Sequence, residues 1–423
     1  MHKKMISRLI AKGDKKEIEK AISETLPEVL NEYGETPLMW SIRFGYTPNG
    51  DDIFRMILDV PQDLNRKDSI GFSALSYALS LRRPAFAEAL IEKGADVNVP
   101  CKIAIAPHPR AYAAHKAAFL SHAIKPYPVE QDQILHPISL AIYKSYDDLV
   151  YKMIDAGGNL DTVGGLDITP LSISIRTGKL DILQYLLERG ANPNVLPKNW
   201  SNYGVKPESI CPVAIKKALK YGCGASISLL LKAGSRLPKL FLRRDDFYST
   251  PLTYLFSQPK EQLAEPYYCL RQLQKRFDIS TCDSDNRSPL SYAIENNFDD
   301  YLISSLLHEK VNNLKDKFAC TPMIYAWLNK DTSVMKILYN AGVPMASSVY
   351  EPTGQTLLMM SIEKKDYQMV DFLMKHSPLL LTKDSMGRSV ISYIDETMPF
   401  FKEISKEYHA QQEKMQQYLQ RNK

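Results

Sequence analysis

The sequence predicts an all-α protein in which short helix-turn-helix units repeat along the chain as a solenoid. Two observations indicate this fold class. A short opening, typically Ser or Thr, then Pro, then an apolar residue, recurs at spacings that cluster near about 33 residues. Each opening precedes two short apolar helical segments with a polar turn between them. A chain of 423 residues is also too long for one ordinary compact core, whereas a repeat array grows lengthwise.

The opening has the residues that a helix N-terminus needs. Ser and Thr side chains cap free backbone N–H groups, and Pro fits the first turn, where its missing N–H costs nothing. Clear copies start at Thr36, Thr169, Thr250, Ser288 and Thr321, and degenerate copies start at Ser73, His136, Cys211, Thr356 and Ser389. We therefore expect about ten units.

The second helical segment of a unit is clearest in residues 180–187, where apolar side chains follow the i, i+3, i+4 spacing of one helix face. Several of these segments end in Gly, which most easily adopts the left-handed conformation that stops a helix. Such glycines stand at Gly94, Gly190, Gly234 and Gly342. An extended polar stretch then leads to the next opening.

The period, the Thr-Pro-Leu openings and endings such as residues 189–194 together resemble ankyrin repeats. The likeness is closest over 167–196, good over 286–385 and loose over 209–285. In that family, a His after the opening ties neighbouring repeats by hydrogen bonds, and no copy here has this His. Ser stands there in several copies, as at Ser172, and we expect its hydroxyl to replace part of that bonding.

On the basis of this resemblance, we predict that the chain consists of seven segments. They are an N-terminal capping helical pair (1–33), ankyrin repeats (34–100), an insertion (101–133), ankyrin repeats (134–196), irregular basic ankyrin-like repeats (197–285), ankyrin repeats (286–385), and a C-terminal capping repeat with a polar helix (386–423). The period is lost at two insertions, one at 101–133 and one at about 197–208. Terminal units with a polar outer face keep a solenoid soluble.

An enzyme is disfavoured, because no segment outside the repeats approaches the roughly 100 residues of a typical catalytic domain. His108, His115 and His122 are seven residues apart, so on one helix they would lie about 10 Å from each other, too far for one zinc ion. We therefore predict no catalytic residue, no metal site and no cofactor. An enzyme or pseudo-enzyme site in the 101–133 insertion, built on Cys101, His115 and His122, stays open as the alternative.

The six cysteines are scattered without a CxxC pair, which indicates free thiols in a reducing compartment. No apolar stretch reaches the roughly 18 residues of a transmembrane helix, and the N-terminal residues lack the apolar core of a secretory signal. We therefore expect a cytoplasmic monomer. The irregular repeats and large insertions also resemble ankyrin proteins of intracellular bacteria that act inside host cells. That resemblance implies export into the host cytoplasm by a type IV secretion system.

Ankyrin proteins usually bind a partner protein on their concave side, through loop tips and the exposed end of each first helix. The resemblance assigns partner binding to the residues at the inter-helix turns, namely Arg43, Phe44, Leu81, Arg82, Tyr143, Lys144 and Arg176. Phe44, Leu81 and Tyr143 are apolar or aromatic where we expect exposure to water. Exposed aromatic residues flanked by Arg are common binding anchors. A protein-binding scaffold is therefore the main functional prediction.

A second aromatic row follows the openings, at Trp40, Tyr77, Tyr254, Tyr292, Tyr325 and Tyr393. We expect these side chains to pack between units, with the tyrosine hydroxyls reaching water at the edge of the groove. They are therefore assigned to the core and not to binding.

Residues 197–244 form a strongly basic block, with ten Lys or Arg residues against one acid. The predicted docking residues of this block are Lys216, Lys217, Lys220, Arg236, Lys239, Arg243 and Arg244. A surface of one charge sign favours an anionic partner, either an acidic protein surface or anionic lipid at 206–244. Nucleic acid fits less well, because few aromatic residues alternate with the cations for base stacking.

Overall fold

The computed structural model of the protein describes residues 3–24, 26–69, 71–102, 134–244, 247–343, 345, 349–350, 352–376 and 382–397. The chain divides into two compact units, Met1–Ala218 with Ala225–Leu237, and Leu219–Gly224 with Pro238–Lys423. We call these unit 1 and unit 2 and treat each by itself. Both consist mainly of short paired helices, which confirms the all-α fold class.

Unit 1 begins with a helical pair and continues with pairs that follow the predicted openings. Its helices are α1 (Lys3–Lys12), α2 (Lys15–Glu24), α3 (Pro37–Arg43), α4 (Gly50–Leu58), α5 (Ala74–Ser80), α6 (Pro84–Glu92), α7 (Pro137–Lys144), α8 (Asp147–Asp155), α9 (Pro170–Arg176), α10 (Leu180–Glu188), most of α11 (Val213–Tyr221) and α12 (Gly224–Lys232). Helix α1 packs on α3, and α2 packs on α4. The first helices of successive pairs, α3, α5, α7 and α9, lie side by side.

Unit 2 has the same construction. Its helices are α13 (Pro251–Phe256), α14 (Pro266–Leu273), α15 (Pro289–Glu295), α16 (Asp300–Ser305), α17 (Pro322–Leu328), α18 (Thr332–Asn340), α19 (Leu357–Glu363), α20 (Tyr367–His376) and α21 (Val390–Thr397). Short 3-10 helices lie in loops of the two units, at Gly165–Asp167, Trp200–Tyr203, Pro207–Ser209 and Lys260–Gln262. None of the helices in the described ranges combines the length and apolar character needed to cross a membrane.

The helix openings fold as the sequence predicts. Thr169 lies in extended backbone before α9, and its side-chain oxygen accepts a 3.1 Å hydrogen bond from the Ser172 N–H. The same side-chain cap is made by Thr36, Ser73, Thr250, Ser288, Thr321 and Thr356. The Ser172 hydroxyl donates to the Thr169 carbonyl at 3.0 Å and accepts from the Thr169 N–H at 2.8 Å. The expectation that Ser172 bonds neighbouring repeats is therefore wrong, because its hydrogen bonds close its own helix N-terminus.

Three two-stranded antiparallel sheets accompany the helices in the described residues. They pair β1 (Cys101–Lys102) with β2 (Ile134–Leu135), β3 (Phe241–Arg244) with β4 (Phe247–Ser249), and β5 (Val349–Tyr350) with β6 (Gln355–Thr356). In the first sheet, Cys101 pairs with Leu135 and Lys102 pairs with Ile134. The chain therefore returns, after the segment predicted as an insertion, to the place where it left the repeat.

Asparagine side chains join successive repeats of unit 1 along their loops. The Asn98 side-chain oxygen accepts a 2.6 Å hydrogen bond from the Asn159 N–H, and its amide donates to the Gly157 carbonyl at 3.2 Å. Asn194 likewise accepts from the Arg236 N–H at 2.6 Å. Because these bonds span the two segments predicted as insertions, the repeats on either side of each segment remain joined.

The core lies between the helix layers, and the second aromatic row belongs to it, as predicted. The five tyrosines of the row and Trp40 are all buried. The expectation that the tyrosine hydroxyls reach water is wrong for Tyr77, Tyr292, Tyr325 and Tyr393, because each hydroxyl donates to a buried aspartate nine residues earlier. A buried hydroxyl without such a partner would lower the free energy of unfolding.

Candidate functional site

The predicted partner-binding residues of unit 1 lie where its first helices end. Arg43, Tyr143 and Arg176 are at or near the last turns of α3, α7 and α9, and Leu81 follows α5 directly. Since these helices pack side by side, their ends form a row along one edge of unit 1. The spacing argument therefore selected neighbouring positions in space.

Two apolar or aromatic side chains in this row are exposed. Leu81 is 36% exposed and Tyr143 is 47% exposed. The cations Arg82, Lys144 and Arg176 stand beside them in the chain or in the row. We call these five residues the Tyr143 surface. Side chains of this kind, Tyr and Arg above all, carry most of the binding energy in protein interfaces.

Phe44 does not belong to this surface, and the prediction that it is exposed is wrong. Its ring is only 5% exposed and stacks on the Trp40 ring with the centroids 5.1 Å apart. Arg43 is also occupied, because its guanidinium pairs with the buried carboxylate of Glu35. The same guanidinium lies over the Tyr77 ring at 5.4 Å. Both residues stabilise the fold at the start of the row.

The cations of the Tyr143 surface lie close to the ring and to one another. The Lys144 ammonium is 5.7 Å from the Tyr143 ring centroid, and the Arg176 guanidinium is 6.0 Å from it. Partial burial lowers the pKa of Lys144, and the positive charge of Arg82 lowers it further. Within the described residues, none of these three cations has an acidic partner.

Several cations on or next to the second helices of unit 1 are paired between repeats. Lys93 is bound to Asp59 at 2.7 Å, and Arg189 is bound to Asp155 at 2.6 Å. Lys152 pairs with Glu88 in the same way. The cations of the Tyr143 surface have no such pair between repeats in the described part of the chain.

Sequence reasoning missed Tyr146, which follows the turn after α7. Its hydroxyl is buried and has no hydrogen-bond partner among the described residues. Burial raises the pKa of Tyr146, and the charge of Arg82 opposes that shift, so the hydroxyl lies within electrostatic reach of Arg82. No local pattern predicts this, because Tyr146 occupies an ordinary position before a second helix.

The basic block divides between the two units. Lys216, Lys217 and Arg236 belong to unit 1, whereas Lys220, Lys239, Arg243 and Arg244 belong to unit 2. Docking on Lys216, Lys217, Lys220, Lys239, Arg243 and Arg244 stays a prediction. Arg243 lies over the Tyr254 ring at 5.4 Å, and Lys220 lies 5.9 Å from the Tyr221 ring.

Arg236 is a structural residue in the described part of the chain. Its guanidinium donates to the Pro207 carbonyl at 2.7 Å and to the Ile210 carbonyl at 3.3 Å. Its backbone N–H is the donor to Asn194. The side chain of Arg236 therefore ties the loop before α11 to the end of unit 1, and docking of a partner on Arg236 stays a prediction.

The residues of the alternative enzyme site lie outside the description. His108, His115 and His122 are not among the described residues, and only the backbone of Cys101 is. Within the described ranges, no group of three or more His, Cys, Asp or Glu is placed to hold a metal ion. Burial raises the pKa of the Cys211 thiol to about 12, so this cysteine is not a thiolate at neutral pH.

Comparison with known proteins supports the repeat assignment. A family model described as ankyrin repeats (three copies) matches residues 2–101 and 290–384, and a single ankyrin-repeat model matches residues 167–198. The last match coincides with the stretch that most resembles the family in sequence. No curated protein matches the chain. The repeat matches together span more than half of the sequence, and they coincide with the paired helices and capped openings described above, so the chain belongs to the ankyrin-repeat family.

Proposed function

We propose that the chain is a protein-binding scaffold whose partner docks on the Tyr143 surface of unit 1. Ankyrin repeats are generally protein–protein interaction modules, and the family is typically non-enzymatic. The observation that carries the proposal is the exposed Tyr143 ring with the Lys144 and Arg176 cations on it. An aromatic side chain in water with unpaired cations around it gains free energy when a partner covers it.

The surface has an organisation suited to a partner that crosses several repeats. Its residues come from three successive first helices or the turns after them, α5, α7 and α9. These elements are held by the buried core and by the asparagine bonds between repeats, so the side chains sit on a rigid support. A preorganised surface loses less conformational entropy when it binds.

The cellular setting is part of the same proposal. The irregular repeats resemble those of ankyrin proteins that intracellular bacteria deliver into host cells, so the partner is sought among eukaryotic proteins. The tagged full chain is expressed in eukaryotic cells, and proteins that co-purify in stoichiometric amount are identified by mass spectrometry. The partner is then expressed alone, and its binding to the purified chain is measured.

The decisive comparison uses two double variants with the same residue types. Leu81→Ser with Tyr143→Ser removes the apolar part of the Tyr143 surface. Leu328→Ser with Tyr301→Ser is the control, because these side chains are 49% and 66% exposed in unit 2. We expect the first variant to lose the partner and the control to retain it. A partner that both variants retain at full affinity contradicts the proposed site.

A further inference from the structure

The Tyr143 surface carries an excess of positive charge that the fold itself does not use. Arg82, Lys144 and Arg176 have no acidic partner in the described part of the chain. Partial burial lowers the pKa of Lys144, and the nearby positive charge of Arg82 lowers it further. Like charges held together without a counter-charge destabilise the free protein, and an anion that binds between them removes this cost.

An unsatisfied hydroxyl lies beside the same cations. Among the residues that the structure describes, the buried Tyr146 hydroxyl has no hydrogen-bond partner, and neither has the Ser80 hydroxyl at the end of α5. Buried polar atoms without partners are uncommon in folded proteins, and they often mark a site that a ligand or water completes. Both hydroxyls can donate to an oxyanion, whereas neither has an acceptor within the described ranges.

The spacing of the cations suits an extended chain. Packed neighbouring helices lie about 8–10 Å apart, and a peptide in the extended polyproline II conformation rises about 3.1 Å per residue with three residues per turn, so every third side chain lies on the same face. One carboxylate in every three residues would therefore meet the cations of successive first helices. The apolar side chains of Leu81 and Tyr143 lie among the cations and are exposed, so they can receive an apolar side chain of the same segment.

We infer that the Tyr143 surface recognises an acidic, extended segment of its partner, with carboxylates against its three cations and an apolar side chain against Leu81. This inference rests on the proposed function and adds the chemistry of the partner to it. Guanidinium–carboxylate contacts are charge-assisted and about twice as strong as neutral hydrogen bonds, so Arg82 and Arg176 supply most of the selectivity for acid.

The probe is a pair of bead-bound libraries of peptides about nine residues long. One library has Glu fixed at every third position, the other has Gln at the same positions, and all remaining positions vary. We expect the labelled full chain to bind members of the Glu library, with affinities at least about tenfold above those of their Gln counterparts. The affinity of each selected peptide should fall as salt rises from ~50 mM to ~300 mM.

A charge-matched pair of variants assigns the binding to the site. The first triple variant combines Arg82→Gln, Lys144→Gln and Arg176→Gln. It should bind the selected peptides at least about tenfold more weakly. The control changes Lys16, Lys20 and Lys232 to Gln, which removes the same charge from exposed positions on second helices. It should bind like the unchanged chain. Equal loss in both triple variants would overturn the inference, because it would mean non-specific attraction by net charge.

A single variant guards against a folding defect in the triple variant. Arg82 has a left-handed φ of 59°, and the equivalent turn after α9 has Gly178 with φ 72°. Arg82→Gly therefore removes one cation at a position where Gly is unstrained. The Arg82→Gly chain should unfold at the same thermal midpoint as the unchanged chain and still bind the selected peptides several-fold more weakly. Unchanged peptide affinity in a folded Arg82→Gly chain would overturn the role of Arg82.

Failure of this inference and failure of the proposed function give different results. If the Glu and Gln libraries bind equally but the partner is still lost with Leu81→Ser and Tyr143→Ser, the surface binds a partner that is not acidic. If a third library with phosphoserine at the fixed positions binds and the Glu library does not, a phosphorylated segment replaces the acidic one. If the partner is retained by the serine variant, the proposed site itself is wrong.

Discussion

The Tyr292 hydroxyl donates a 2.8 Å hydrogen bond to a carboxylate oxygen of Asp283, nine residues earlier. The same relationship recurs in the pairs Tyr77–Asp68, Tyr325–Asp316 and Tyr393–Asp384. The other oxygen of each aspartate accepts a backbone N–H four residues on, from Phe72, Arg287, Cys320 and Arg388. Each aspartate therefore links, by hydrogen bonds within one repeat, the loop before an opening to the first helix after that opening.

Removal of one hydroxyl tests this link. Tyr292→Phe is expected to lower the free energy of unfolding by about 1–3 kcal/mol, because the buried Asp283 carboxylate loses a donor. The measurement is the urea midpoint of the full chain, followed by circular dichroism. Tyr301→Phe is the matched control, because Tyr301 is 66% exposed and should leave the midpoint unchanged. Equal midpoints for the two variants would contradict the structural role of the pair.

The pairs should respond differently to pH. Burial opposes the charge of Asp384, but hydrogen bonds from Tyr393 and Arg388 outweigh it and lower the pKa of Asp384 to about 2. A carboxyl whose folded pKa lies below its unfolded value of about 3.9 adds stability above that value and loses it as pH falls toward the folded pKa. Asp384→Asn should therefore lower the urea midpoint at neutral pH and have a much smaller effect near pH ~2.

Asp283 supplies the comparison, because burial raises its pKa. For a raised folded pKa the sign reverses, and stability is lost as pH rises through that pKa. Asp283→Asn should therefore be least harmful at neutral pH, relative to its effect in acid. We attribute the difference between the two aspartates in part to Arg388, which binds Asp384 at 2.9 Å. Parallel pH profiles for Asp283→Asn and Asp384→Asn would contradict this assignment.

The sequence predicts local chemistry well and neighbour-dependent features poorly. The openings were identifiable because a capping hydroxyl such as Thr169 acts within three residues of itself. The exposure of Phe44 was mispredicted because spacing aligns it with Lys144, whereas its ring packs on Trp40. The partner of the Tyr292 hydroxyl was missed because Asp283 lies across a loop, where helix periodicity gives no information.

A pair of aromatic substitutions separates stability from binding in the first-helix row. Phe44→Ala should lower the free energy of unfolding by about 3–5 kcal/mol, because a buried ring leaves a cavity beside Trp40. Tyr143→Ala should change the free energy of unfolding by less than about 0.5 kcal/mol but weaken partner binding at least about tenfold. Urea unfolding and partner titration are run on both. The assignment fails if Tyr143→Ala unfolds as readily as Phe44→Ala.

Arg236 should behave as a structural residue. Arg236→Gln removes the bonds to the Pro207 and Ile210 carbonyls and is expected to cost about 1–3 kcal/mol. Hydrogen exchange should become faster for the backbone amides of residues 208–211 and of Val213. Lys232→Gln, an exposed change nearby in sequence, is the control and should leave exchange unaltered. If exchange in this loop is the same in both variants, Arg236 is available for docking as the sequence suggested.

Residues 103–133 should be dispensable for the fold of unit 1. Lys102 and Ile134 are paired across β1 and β2, so a two-residue Asn-Gly turn can join them as a hairpin. We expect the shortened chain to melt within about 4 °C of the full chain and to capture the same partner. Adding Asn98→Ala to the shortened chain should lower its stability by about 0.5–1.5 kcal/mol, because the Asn159 N–H loses its acceptor. If the shortened chain folds but no longer binds the partner, the segment itself contributes to function, and the alternative site around Cys101, His115 and His122 becomes the better hypothesis.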